Sequence, residues 1–217
     1  MQIAYLLYDR FTALDAIGPH DVLNQIPGAE PVFVAEQAGP VENESRSLSI
    51  VAERSISEVT SPQILVVPGG FGTRALLEHE PLLQWIRDVH ETSEYTTSVC
   101  TGSLLLAAAG LLEGAPATTH WLARDLLAEL GARPVSERVV EHGKIFMAAG
   151  VSSGIDMALR LVQRIHGDEA AQAIQLGIEY DPEPPFDAGS PDKAPPAIVE
   201  AVSAAFEARD ADSAARS

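Results

Sequence analysis

The run Ile64-Leu65-Val66-Val67, closed by Pro68 and followed at once by Gly69-Gly70, constrains the fold more than any other stretch. Four consecutive apolar residues, three of them β-branched, leave no polar side for solvent. A strand built from them must be covered on both faces, as in a parallel sheet between helices. The neighbouring segments alternate to match. QIAYLL (residues 2–7), EPVFVAE (30–36) and YTTSV (95–99) read as strands. LDAIGPHDVLNQI (14–26), PLLQWIRDVHE (81–91), TGSLLLAAAGLL (101–112) and ARDLLAELG (123–131) read as helices, with Pro81 at a first-turn position and Gly131 as a terminator. RVVEHGKIFMAAG (138–150) reads as a hairpin turning at His142-Gly143, and two further helices follow over 154–167 and 168–180. The alternation predicts one doubly wound α/β domain with a mainly parallel sheet over residues 1–180. Residues 181–196, DPEPPFDAGSPDKAPP, are proline-rich and without period. Together with the alanine-rich stretch 197–217, expected to be an amphipathic helix with a frayed end, they form an arm expected to pack on the same domain.

In such a sheet ligands bind beyond the carboxyl ends of the strands, where the βα connections gather. Three connections carry unusual residues: TALDAIGP after the first strand, with Asp15; GGFG (69–72) after ILVVP; and Cys100 after YTTSV. Cys100 falls at a strand-to-helix junction flanked by Thr101, Gly102 and Ser103, small enough for the tight elbow that exposes a nucleophile above a sheet. The helix end behind it would favour thiolate. A buried packing cysteine is the alternative. GGFG lacks the lysine and hydroxyl of a phosphate loop. It is either a tight turn or a small anion nest formed by the N–H groups of Gly70 and Phe71. Asp15 either caps its helix or shares a proton with Cys100. His120, in ATTHW, is the candidate histidine partner. No histidine pair has metal-ligand spacing, so no metal is expected.

Acidic residues outnumber Lys+Arg 31 to 14, a formal charge of −17. That balance opposes nucleic acid and anionic lipid, whose binding rests on basic patches. No apolar run approaches the ~20 residues of a membrane span. A single cysteine cannot make an internal disulfide, and MQIAYLLYDRF looks like a first strand instead of a signal peptide. A reducing cytoplasm is the expected compartment.

LVVPGGFG, SVCTGSLLLAAAGLLEGAPATTHW and GVSSGIDMALRL together resemble the DJ-1/PfpI superfamily, and AIQLGIEYDPEPPFDAGSP resembles its branch of isonitrile (isocyanide) hydratases. The resemblance runs from residue 2 to about residue 195. It implies a flavodoxin-like fold, a homodimer, a reactive cysteine at Cys100 and an acidic partner after the first strand, here Asp15 in the hydratase-like pattern LD-x-x-GP. It also implies a cofactor-independent hydration of an isonitrile to an N-formamide through a thioimidate on Cys100. In that reading Asp15 moves protons, and Thr101 and the Gly70 loop position substrate and water. Other members imply methylglyoxal hydration, with His120 assisting, or a cysteine-based redox or metabolite sensor. Peptidase-like members carry histidine where Thr101 stands, and amidotransferase relatives need a late His-x-Glu pair that is absent here. Ser47 and Ser152-Ser153 also depart from the usual pattern, near loops that shape the pocket. AraC-type regulators share such a domain but add helix-turn-helix units, for which this acidic chain is unsuited.

Overall fold

The computed structural model describes residues 1–214. Its central sheet has seven strands in the order β10-β11-β7-β6-β1-β2-β5. These are β1 (Gln2–Leu6), β2 (Glu30–Ala35), β5 (Arg54–Ser55), β6 (Ile64–Val67), β7 (Tyr95–Val99), β10 (Val139–His142) and β11 (Ile145–Ala148). All neighbours pair in parallel except β10 and β11. The helices are α1 (Ala13–Leu23), α2 (Glu80–Thr92), α3 (Gly102–Ala108), α4 (Arg124–Glu129), α5 (Ser153–His166) and α6 (Asp168–Gly177).

The period of two along each strand sorts the core into two layers. Ala4, Leu6, Leu65, Val67, Ile145 and Met147 face a cluster built from α2, α3 and α4, including Leu83, Ile86, Leu104, Leu105 and Leu127. Ile3, Tyr5, Ile64, Val66, Phe146 and Ala148 face the other way, onto Val22 and Leu23 of α1 and Met157, Leu161 and Val162 of α5. Residues 64–67 are buried throughout, as a strand covered on both faces requires. Each large apolar side chain so buried stabilises the fold by about 1.5–3 kcal/mol. The arrangement is the doubly wound α/β fold that the alternation predicts, flavodoxin-like as the family resemblance implies.

Several details differ from the sequence reading. His142 pairs with Ile145, so the hairpin turns at Gly143-Lys144, one residue later than expected. The helix after the cysteine ends at Ala108, and the leucines beyond it lie in turns. Two small sheets were not anticipated: the hairpin β3 (Gly39–Glu42) with β4 (Ser49–Ala52), and the parallel pair β8 (Pro116–Ala117) with β9 (Arg133–Pro134). Their strands have two to four residues, too short for a period to show.

The chain divides into two compact units, the first being Met1–Ile178. The second starts at Glu179; it has no regular structure up to Pro195 and then forms α7 (Pro196–Ala214). Residues 215–217, the last of the expected frayed end, lie outside the described residues.

Candidate active site

From β1 the chain moves outward to β2, then returns to β6 on the other side of β1 and continues to β7 and β11. The ends of β1, β6 and β7 therefore flank the switch point of the sheet, where a parallel α/β fold leaves a crevice. Asp15, residues 68–72 and Cys100 all follow these three strands.

Cys100 is buried and has φ 56°, a left-handed conformation uncommon for a residue with a side chain. Holding it there costs about 1–3 kcal/mol, tolerated because the surroundings determine the turn. Its N–H donates to Ala148 O at 3.0 Å, and its carbonyl accepts from Ser103 Oγ at 3.2 Å and Thr119 Oγ1 at 3.0 Å. Two glycines let the elbow close. A Cβ on Gly102 would stand 2.2 Å from Val67 O, and one on Gly69 would stand 2.5 Å from Thr101 N and 3.0 Å from Asp15 Oδ2.

Asp15 is completely buried at the third position of α1, whose N-cap is Thr12. Its carboxylate does not cap that helix. Oδ2 accepts from Gly69 N at 2.9 Å, the carboxyl neighbours the Cys100 thiol, and Oδ1 has no hydrogen-bond partner among the described residues. Burial, opposed by the Gly69 N–H, holds the carboxyl well above the usual carboxylate range. The Cys100 thiol, like the Gly69 N–H, favours the charged carboxylate and works against burial.

The thiol differs from the helix-end expectation. Burial pushes Cys100 well up, and a charged Asp15 would push it further; the Thr101 backbone and hydroxyl pull it down. With seven residues, α3 is too short and the sulfur too deeply enclosed for a helix dipole to dominate. The resting thiol is therefore neutral, beside a carboxyl whose protonated form burial favours, and the sulfur ionises only as its proton finds an acceptor.

Thr101 is buried beside the sulfur, and its Oγ1 accepts from Gly70 N at 2.9 Å. The Gly70 donor is thereby committed to the elbow, so the Gly70–Phe71 nest expected from the sequence is not left open to an anion. Phe71 is buried, with the Arg10 guanidinium 5.9 Å from its ring centre. His120 accepts Leu122 N on Nδ1 at 3.4 Å. Burial, then the charges of Arg74 and Arg124, lower its pKa to about 4, so the ring is neutral at pH 7. The bond from this segment to the elbow comes from Thr119, one residue earlier. Tyr8, Thr73 and Thr119 also belong to the site, and no sequence motif singles them out. Among the described residues no three His, Cys, Asp or Glu side chains gather as a metal would require. No helix there is long and apolar enough to cross a membrane.

Comparison with known proteins places this geometry. The chain is 45% identical over 200 residues to isonitrile hydratase of Pseudomonas putida, covering 92% of this chain and 87% of that protein. It is 31% identical over 150 residues to the transcriptional regulator CdhR of Pseudomonas aeruginosa, of which the match covers 43%. A crystal structure of a ThiJ/PfpI family protein from Pseudomonas syringae superposes with TM-score 0.91 at 38% identity, over 99% of this chain and 89% of that one. Drosophila melanogaster DJ-1beta shares the fold at TM-score 0.74 and 20% identity, over 82% of this chain and 97% of that one. Residues 1–164 match the DJ-1/PfpI family, and with an elbow cysteine facing a buried acid at the switch point of the sheet, the chain belongs to that family.

Proposed function

We propose that this protein adds water to an isonitrile, R–N≡C, giving the formamide R–NH–CHO. The observation that carries the reading is the buried pair of neighbouring Cys100 and Asp15, within a chain 45% identical to an isonitrile hydratase over 92% of its length.

The terminal isonitrile carbon accepts a soft nucleophile, and sulfur is the softest a protein offers. Cys100 Sγ forms a bond to that carbon while Asp15 gives the carbon its proton; the thiol proton replaces the one Asp15 loses. The product is a thioimidate, R–N=CH–S–Cys100. Water then adds across C=N, its proton passing through Asp15 to nitrogen. Breaking the C–S bond releases R–NH–CHO and returns the proton to sulfur, so the sum is one water added. Neutral His120 carries no charge into these steps. Thr101, anchored by Gly70, positions the sulfur, and the chain works as a homodimer in the cytoplasm.

Incubation with aryl and alkyl isonitriles is expected to yield formamides, and Cys100→Ala is expected to fall to the uncatalysed rate with fold and dimer intact by circular dichroism and light scattering. Formation of lactate from methylglyoxal in place of formamide from any isonitrile would assign the rival hydration. Normal turnover by Cys100→Ala would remove the covalent route.

A further inference from the structure

Beside the elbow runs a chain of buried hydroxyls, Tyr8, Thr73 and Thr101, of which the reaction above uses only Thr101. Tyr8, in the connection after β1, has its oxygen 2.7 Å from Pro68 O and 3.0 Å from Thr73 Oγ1. Thr73 lies in the 3-10 turn Phe71–Leu76; its Oγ1 is 2.7 Å from Gly70 O and 3.0 Å from Thr101 Oγ1. Thr101 Oγ1 in turn accepts Gly70 N at 2.9 Å and stands 3.3 Å from Gly70 O. Tyr8 and Thr101 are 8% exposed and Thr73 is wholly buried.

Each hydroxyl has one proton, so their directions are linked. The shortest contacts put the Tyr8 proton on Pro68 O and the Thr73 proton on Gly70 O. The Thr101 proton then falls on Thr73 Oγ1. The Thr101 hydroxyl also neighbours the Cys100 sulfur and pulls its pKa down, and an anionic sulfur is a far better acceptor than a neutral hydroxyl. As the sulfur gains charge, Thr101 turns its O–H to Sγ. Its oxygen keeps the Gly70 N–H and can take the Thr73 O–H, whose own oxygen can take the Tyr8 O–H. Gly70 O then keeps the Thr73 N–H at 3.1 Å, while Pro68 O gives up the Tyr8 O–H.

We propose that Tyr8 and Thr73 are positioning residues that hold the Thr101 hydroxyl as a donor to Cys100 sulfur when that sulfur becomes anionic. Without Thr73, Thr101 keeps only Gly70 as a fixed partner. As a β-branched threonine it then has a second rotamer open to it. A purely structural role, in which Tyr8 and Thr73 only satisfy Pro68 O and Gly70 O, would leave the sulfur unaffected.

The inference rests on Cys100 as the reactive group but not on the identity of the substrate, so it is tested without an isonitrile. Cys100 is the only thiol in the chain, and the pH–rate profile of its alkylation by iodoacetamide reports its ionisation. Thr73→Val is expected to move that profile up by about one pH unit, making alkylation about tenfold slower at a fixed pH below the midpoint. Tyr8→Phe is expected to move it the same way by less, and Thr73→Ser to restore the parent profile, all three melting cooperatively. Profiles unchanged in both Thr73→Val and Tyr8→Phe would overturn the proposal, as would a Thr73→Ser profile like that of Thr73→Val. If Thr73→Val does not fold, Tyr8→Phe alone decides. A protein that alkylates as expected but leaves isonitriles untouched would sustain the hydroxyl chain and remove the hydratase reading.

Discussion

The role proposed for Asp15 sets chemistry against stability in one side chain. Its folded pKa lies above the unfolded value, so the folded state holds a proton that the unfolded chain releases. Stability is then fully present below about pH 4 and declines as pH rises towards the folded pKa. Asp15→Asn removes that decline. It is expected to melt at or above the parent temperature at pH 7, with an advantage that grows as pH rises above about 4 in a series of thermal scans. Turnover is expected to fall ~10²-fold or more, because an amide neither gives nor takes a proton here. Equal stability of parent and variant at every pH would mean that Asp15 is ionised in the folded protein. From the sequence, residue type favoured the helix cap for Asp15 and the family resemblance favoured the proton carrier; the 2.9 Å bond to Gly69, made across the sheet, takes the carboxylate away from the cap. Tyr8, Thr73 and Thr119 were not legible at all. A lone hydroxyl residue has many neutral uses, and these three meet only through tertiary folding.

At the scale of elements, the elbow exists because α3 can approach β6 without a side chain between them. Gly102→Ala places a methyl group 2.2 Å from Val67 O, a backbone atom in an interior strand that cannot give way. A loss of ~3 kcal/mol or more is expected, as for strong overpacking, read as a lower midpoint in urea unfolding. A midpoint within error of the parent would show that the elbow can open. The interior strands were legible because burial on both faces writes an unbroken apolar run, as in Ile64–Val67. Those of β3, β4, β8 and β9 were not, since they are held by pairing with each other and carry no hydrophobic period. The end of α3 was also missed: Leu111 and Leu112 fit a helical pattern, but the chain turns after Ala108 through Gly110, a residue with φ 81°.

At the scale of the whole molecule, both core layers fall within Met1–Ile178. A chain truncated after Ile178 is expected to unfold in one cooperative transition with a midpoint near that of the full chain. Loss of the cooperative transition would place part of the folding determinants beyond that residue. The sheet ends in the two-residue β5 on one side and the antiparallel β10 on the other, and these edges fray first. The reactive centre hangs instead from β1, β6 and β7, each hydrogen-bonded on both sides. Local breathing therefore does not reach it. The elbow keeps its shape until the domain is lost, so the working lifetime of the catalyst is set by the rate of global unfolding and not by wear at its own site.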